Sequence, residues 1–77
     1  MKYKLAKHIS ISVINNYVFL FDEIYNKIYC ITKKEEKTIL LQIHKNIPKE
    51  IIVDKEDTLN RIAINLCEKG FLKKIRV

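Results

Sequence analysis

Seventy-seven residues with 48% apolar content set one small domain (residues 1–77), near the lower limit for a self-sufficient core. A single Gly and a single Pro exclude a loop-rich or disordered chain, and no apolar run approaches the ~20 residues of a membrane span. No apolar stretch follows the basic start to make a signal peptide, so a cytoplasmic protein is expected, and the net charge of +6 favours an acidic partner.

Residues 1–7 read as an N-terminal arm. From there Ile9, Ile11 and Val13 alternate with His8, Ser10 and Ser12, the period of a strand with one buried face. Asn15-Asn16 suits a tight hairpin, and Tyr17-Val18-Phe19-Leu20-Phe21 is the return strand. Closure on the two asparagines puts Val18 and Leu20 on one face with Val13 and Ile11. Tyr17, Phe19 and Phe21 then share the other with Ile14, Ser12 and Ser10. That second apolar face is either covered by the arm, with Tyr3 and Leu5, or open to a partner. Asp22-Glu23-Ile24-Tyr25-Asn26 is a turn with Asn26 left-handed, and Lys27-Ile28-Tyr29-Cys30-Ile31 is the third strand.

Thr32-Lys33-Lys34-Glu35 has the capping-box pattern, so Thr32 is expected to cap a first helix running to about His44. A strand that feeds straight into a capped helix is free to lie at a sheet edge, where unpaired main-chain groups invite another chain. Ile39, Leu40 and Ile43 form this helix's core stripe, and Asn46 is its C-cap. Pro48-Lys49-Glu50-Ile51-Ile52 reads as a short second helix with Pro in its first turn. Asp54 is expected to cap a third, with Leu59, Ile62, Ala63 and Leu66 as its stripe and Gly70 as its end. Asn60, Ile64, Cys67 and Phe71 make a second row, turned roughly 100° from the first. Its Ile64 either widens the core or lines a groove. The tail, residues 73–77, frays or forms a short strand.

Nothing here reads as an enzyme. Gly70 is the only glycine, so there is no phosphate loop. His8 and His44 have no ligand or nucleophile at a useful spacing, and no metal or cofactor is expected. Cys30 and Cys67 lie far apart in apolar patterns and read as buried, reduced thiols. Glu35, Glu36, Glu56 and Asp57 are explained by helix starts. Two binding modes remain. A peptide can join the free edge of the third strand by β-augmentation. Alternatively, the chain is a small winged-helix DNA-binding regulator whose third helix offers Asn60, Arg61, Asn65 and Lys69, interrupted by Asp57 and Glu68.

Three strands followed by three helices, a winged-helix-like α+β arrangement, resemble the PqqD-like family, the precursor-peptide recognition elements of ribosomally made, post-translationally modified peptides. The similarity spans about His8 to Leu72. It rests on the strand-to-helix step Ile31-Thr32, the pair Ile39-Leu40, Glu50-Ile51 in the family's short helix, and the close from Leu59 through Leu66 to Gly70-Phe71-Leu72. The glycine common after the family's first helix is replaced near Asn46-Ile47, and the link between second and third helices is short. The resemblance implies a non-catalytic protein that binds a leader peptide as an added strand and presents it to a maturation enzyme. That enzyme would be a radical SAM protein, a lasso-peptide leader peptidase or a cyclodehydratase. Carried over by position, the binding strand is Lys27, Ile28, Tyr29, Cys30, Ile31 and Thr32. The groove wall is Asn60, Ile64, Cys67 and Phe71, bordered by Arg61. Lys27, Lys33, Lys34 and Arg61 would steer an acidic leader. A homodimer is left open.

Overall fold

Two asparagines set the first sheet. Asn15 and Asn16 hold φ of 47° and 69°, the pair of positive values that a two-residue hairpin turn requires. The computed structural model describes residues 1–76. Strand β1 (Lys2–Leu5) precedes β2 (Ile9–Ile14), β3 (Tyr17–Asp22) and β4 (Lys27–Ile31). Helix α1 (Lys34–Lys45), strand β5 (Glu50–Ile52), helix α2 (Thr58–Glu68) and strand β6 (Leu72–Ile75) follow. The hairpin register is the expected one, with Val13 opposite Val18, Ile11 opposite Leu20 and Ser12 opposite Phe19. At the next turn the Asp22 carboxylate accepts the N–H groups of Ile24 and Tyr25 at 2.9 and 3.1 Å, and Asn26 is left-handed at φ 52°.

The expectation of one sheet followed by three helices is overturned. The described residues form two antiparallel three-stranded sheets, β2-β3-β4 and β5-β1-β6, with two helices. The proposed short helix at 48–52 is instead β5, paired with β1 so that Tyr3 lies opposite Ile51. The β-branched run Ile51-Ile52-Val53 favours an extended chain, and β1 supplies the ladder that a sequence-local reading cannot see. The arm is therefore the middle strand of a sheet, and residues 73–75 of the tail join Leu72 as its third strand, with Lys4 opposite Lys73. Val77 lies outside the described residues.

Both helix starts also differ from expectation. Helix α1 begins at Lys34 behind Lys33, with no side-chain cap, so Thr32 closes no capping box. Helix α2 is capped by Asp57, whose carboxylate accepts the Leu59 N–H at 2.9 Å. Asp54 instead closes the turn before it, its carbonyl accepting the Asp57 N–H at 3.0 Å. The helix ends as expected. Gly70 takes φ 84°, its N–H reaches the Cys67 carbonyl, and the Phe71 N–H reaches Leu66 at 3.0 Å. These are the two bonds of a Schellman motif.

The core lies between the sheets and the helices. Ile39, Leu40 and Ile43 of α1 are fully buried, as are Val18 and Leu20 of β3, Leu66 of α2 and Tyr3 of β1. Each large aliphatic side chain buried here contributes about 1.5–3 kcal/mol relative to exposure. Because Tyr3 serves this core, the arm does not cover the outer face of β2-β3-β4, and Tyr17 and Phe21 stay exposed there.

Candidate functional site

Strand β4 pairs with β3 alone and so ends its sheet. The hairpin determines which of its main-chain groups are free. Ile14 and Tyr17 flank the two-residue turn as a hydrogen-bonded pair, and bonded pairs recur at every second position of an antiparallel ladder. The Glu23 N–H on the His8 carbonyl, at 2.9 Å, keeps the same alternation at the far end. Phe19 and Phe21 therefore aim their main-chain groups at β2, whereas Val18, Leu20 and Asp22 aim theirs at β4. The partners of these three are Ile31, Tyr29 and Lys27. The outward N–H and C=O groups on β4 belong to Ile28 and Cys30.

A groove runs beside this edge, lined by residues 28–33 with Glu36, Lys69 and Phe71. The Schellman turn delivers Phe71 against Tyr29, with ring centroids 5.0 Å apart and planes tilted by 58°, a favourable aromatic geometry. Lys69 donates to the buried Glu36 carboxylate at 2.8 Å, tying the end of α2 to the start of α1. Glu36 and Lys69 were not foreseen as groove residues. Glu36 read only as a first-turn acid, and no spacing in the sequence links it to a lysine 33 positions away.

The wall expected from α2 does not form as a row. Asn60 is buried, its carboxamide oxygen accepting the Tyr3 hydroxyl at 2.6 Å and its NH2 donating to the Lys55 carbonyl at 3.3 Å. Cys67 is half-buried and packs on the core. Burial pushes the Cys67 thiol up, with Lys74 opposing and Glu68 reinforcing. Burial likewise raises the Tyr3 hydroxyl, with the Cys67 thiolate as a further cause. The side of α2 assigned to a groove is thus taken by β1 and β6. Ile64 is 42% exposed, and with the exposed Arg61 it borders a separate depression at the start of α2. Of the residues named from sequence, the structure gathers Ile28, Tyr29, Cys30, Ile31, Thr32 and Phe71 around one groove. Lys27 starts the strand, exposed, while Asn60, Arg61, Ile64 and Cys67 lie elsewhere. Cys30 is also exposed rather than buried; both cysteines are free.

Charge is segregated between the sheets. Lys2, Lys4, Lys7, Lys73, Lys74 and Arg76, six of the fifteen basic residues, lie in or next to β1 and β6, where Glu50 of β5 is the one acidic neighbour on a strand. The remaining nine basic and eight acidic residues nearly cancel. Lysine on an edge strand discourages pairing by other chains, and β6 carries Lys73 and Lys74. Strand β4 has only Lys27 at its start, and its Ile28 is 71% exposed. Among the described residues no group of three metal-ligating side chains is present, and no helix is long and apolar enough to cross a membrane. Comparison with family models, curated proteins and solved structures gives no match.

Proposed function

We propose that this chain is a non-catalytic binding protein that takes an extended peptide onto the β4 edge as an added antiparallel strand. The observation that carries the reading is the β4 edge with the Tyr29–Phe71 groove beside it. Ile28 and Cys30 present free main-chain groups and exposed side chains, while β6 is guarded by lysines. A paired peptide alternates its side chains, sending one set toward the Tyr29–Phe71 groove and the other onto the outer face beside Ile28 and Cys30. The occupant is the leader segment of a ribosomally made precursor, presented to a separate modifying or leader-cleaving enzyme. The resemblance supporting this identity now rests on β2 through α1 and on α2 through Leu72, since Glu50-Ile51 forms a strand.

The DNA-reading alternative has less to work with. Asn60 is buried and Lys69 is paired with Glu36, which leaves Arg61 and Asn65 beside Asp57 and Glu68.

Proline at position 30 tests the edge. It removes an outward N–H and leaves the β3 ladder intact, whereas proline at 29 would break a bond to Leu20. A displayed library of linear peptides is selected on the native protein, and the enriched peptides are measured on Cys30→Pro. The expected loss is at least about tenfold, the equivalent of one good hydrogen bond. Equal binding by folded Cys30→Pro would refute edge pairing. A short precursor reading frame beside a peptide-modifying enzyme, whose product binds at the same edge, would identify the occupant as a leader; failure of that product to bind would remove the leader assignment.

A further inference from the structure

The outer face of β2-β3-β4 bears no charged side chain. Its rows, read across the sheet, are Ser10–Phe21–Ile28 and Ser12–Phe19–Cys30, closed by Ile14 beside Tyr17. Ile14 is 58% exposed, Tyr17 60%, Phe21 36% and Ile28 71%. Phe19 is half-buried, its ring 6.4 Å from that of Tyr17. Scaled by ~200 Å² for a large side chain, these fractions leave about 500 Å² of outward apolar surface. A patch of that size is at the upper end of what a monomer exposes.

We infer that this face is the seat of a second copy of the chain, packed sheet to sheet about a two-fold axis. Shape and chemistry both carry the assignment. By side-chain size the aromatic residues of β3 make a ridge beside the small Ser10 and Ser12 of β2, their cross-strand partners. A two-fold axis sets the ridge of each copy over the serines of the other, so that the face is complementary to itself. The absence of charge lets two chains of net charge +6 meet here without opposing like charges. Two such faces bury about 1,000–1,200 Å² together, at the lower limit for a specific interface, so the dimer is reversible, with a dissociation constant of roughly 10–100 μM. Face-to-face packing uses side chains and leaves the outward main-chain groups of Ile28 and Cys30 free. The dimer therefore does not use the main-chain groups that would pair with a peptide at the β4 edge.

Sedimentation equilibrium on the full chain, from roughly 5 μM to about 500 μM, tests this. The mean mass is expected to rise from 9.2 kDa toward twice that value. Phe21→Lys and Ser12→Arg, both at exposed positions, each introduce a charge that the two-fold axis duplicates. Each should weaken association at least tenfold with the circular dichroism unchanged. Two variants guard against one that fails to fold. A native chain that stays monomeric across the range overturns the inference. So does a dimer that survives both charged variants, which would place the contact away from this face, as at a strand edge. A monomer that co-sediments with phosphatidylcholine vesicles would assign the face to lipid and equally overturn it.

Discussion

Removing the hydroxyl of Tyr3 is expected to destabilise the fold through Asn60. The two side chains meet at 2.6 Å inside the core, 57 residues apart in sequence. Tyr3→Phe keeps the ring and its packing but leaves the Asn60 carboxamide oxygen buried without its donor. That costs about 1–3 kcal/mol. A domain of this length holds about 4–11 kcal/mol in all, so the midpoint of urea unfolding should fall by roughly 1–2 M. Tyr3→Phe combined with Asn60→Leu replaces both partners with apolar groups and should recover part of the loss. The pH dependence adds a second readout. The Tyr3 hydroxyl titrates above its usual value of 10.0, chiefly because it is buried. Below pH 10 both folded and unfolded chains keep the proton, and the shift has no effect. Above it the unfolded chain ionises first, so stability falls as pH rises until the folded hydroxyl also ionises. Tyr3→Phe should abolish that component of the alkaline loss. If Tyr3→Phe changed stability by less than about 0.5 kcal/mol, Asn60 would be finding water on an open side of α2. The reasoning that gives that side to the second sheet would then be refuted.

Two further outcomes are expected. Thr32→Ala should leave stability unchanged, because Thr32 makes no cap, whereas Lys33→Asp should raise it by about 1 kcal/mol by supplying one; thermal unfolding checks both, and a costly Thr32→Ala would restore the capping box. Reaction with a thiol-specific disulfide reagent should show a fast phase from exposed Cys30 and a slow one from Cys67, which is half-buried with its thiol pushed up. Removal of the fast phase by Cys67→Ser would reverse the assignment.

The hairpin was legible because its determinants are local. Two adjacent asparagines demand positive φ, and the period-two pattern on either side leaves one register for them to close. Gly70 was legible for the same reason. The second sheet was not, because its strands are short and far apart in sequence. Lys2–Leu5 alternates over only four residues, Glu50–Ile52 follows a proline that suits a helix start, and Leu72–Ile75 lies in a lysine-rich tail. Pairing supplies what pattern lacks, since the partners of Tyr3 are Ile51 and Lys74. The same omission misdirected the candidate site. On a bare α2 the row Asn60–Ile64–Cys67 looks like a groove wall; once β1 is the central strand, Asn60 and Cys67 are occupied and Ile64 is left at a rim.

The second sheet also gives the β4 edge its meaning. Every open sheet in this chain ends in strands that a neighbour could join, and the chain treats those edges differently. Strand β6 carries Lys73 and Lys74, and strand β5 is only three residues long, two of the devices by which proteins blunt an edge. Strand β4 has five residues, one lysine and an aromatic groove alongside. If exposed edges were merely tolerated here, as on β2, which also ends its sheet and carries no lysine, the groove beside β4 would have no use. Lysine placed at Ile28 and Cys30 would then solubilise the protein at no cost to its fold, since both side chains point outward. On the reading developed above, the same double substitution leaves the unfolding midpoint unchanged and removes peptide binding. A folded Ile28→Lys/Cys30→Lys protein that still bound the selected peptides would show that side chains on this strand do not govern its pairing.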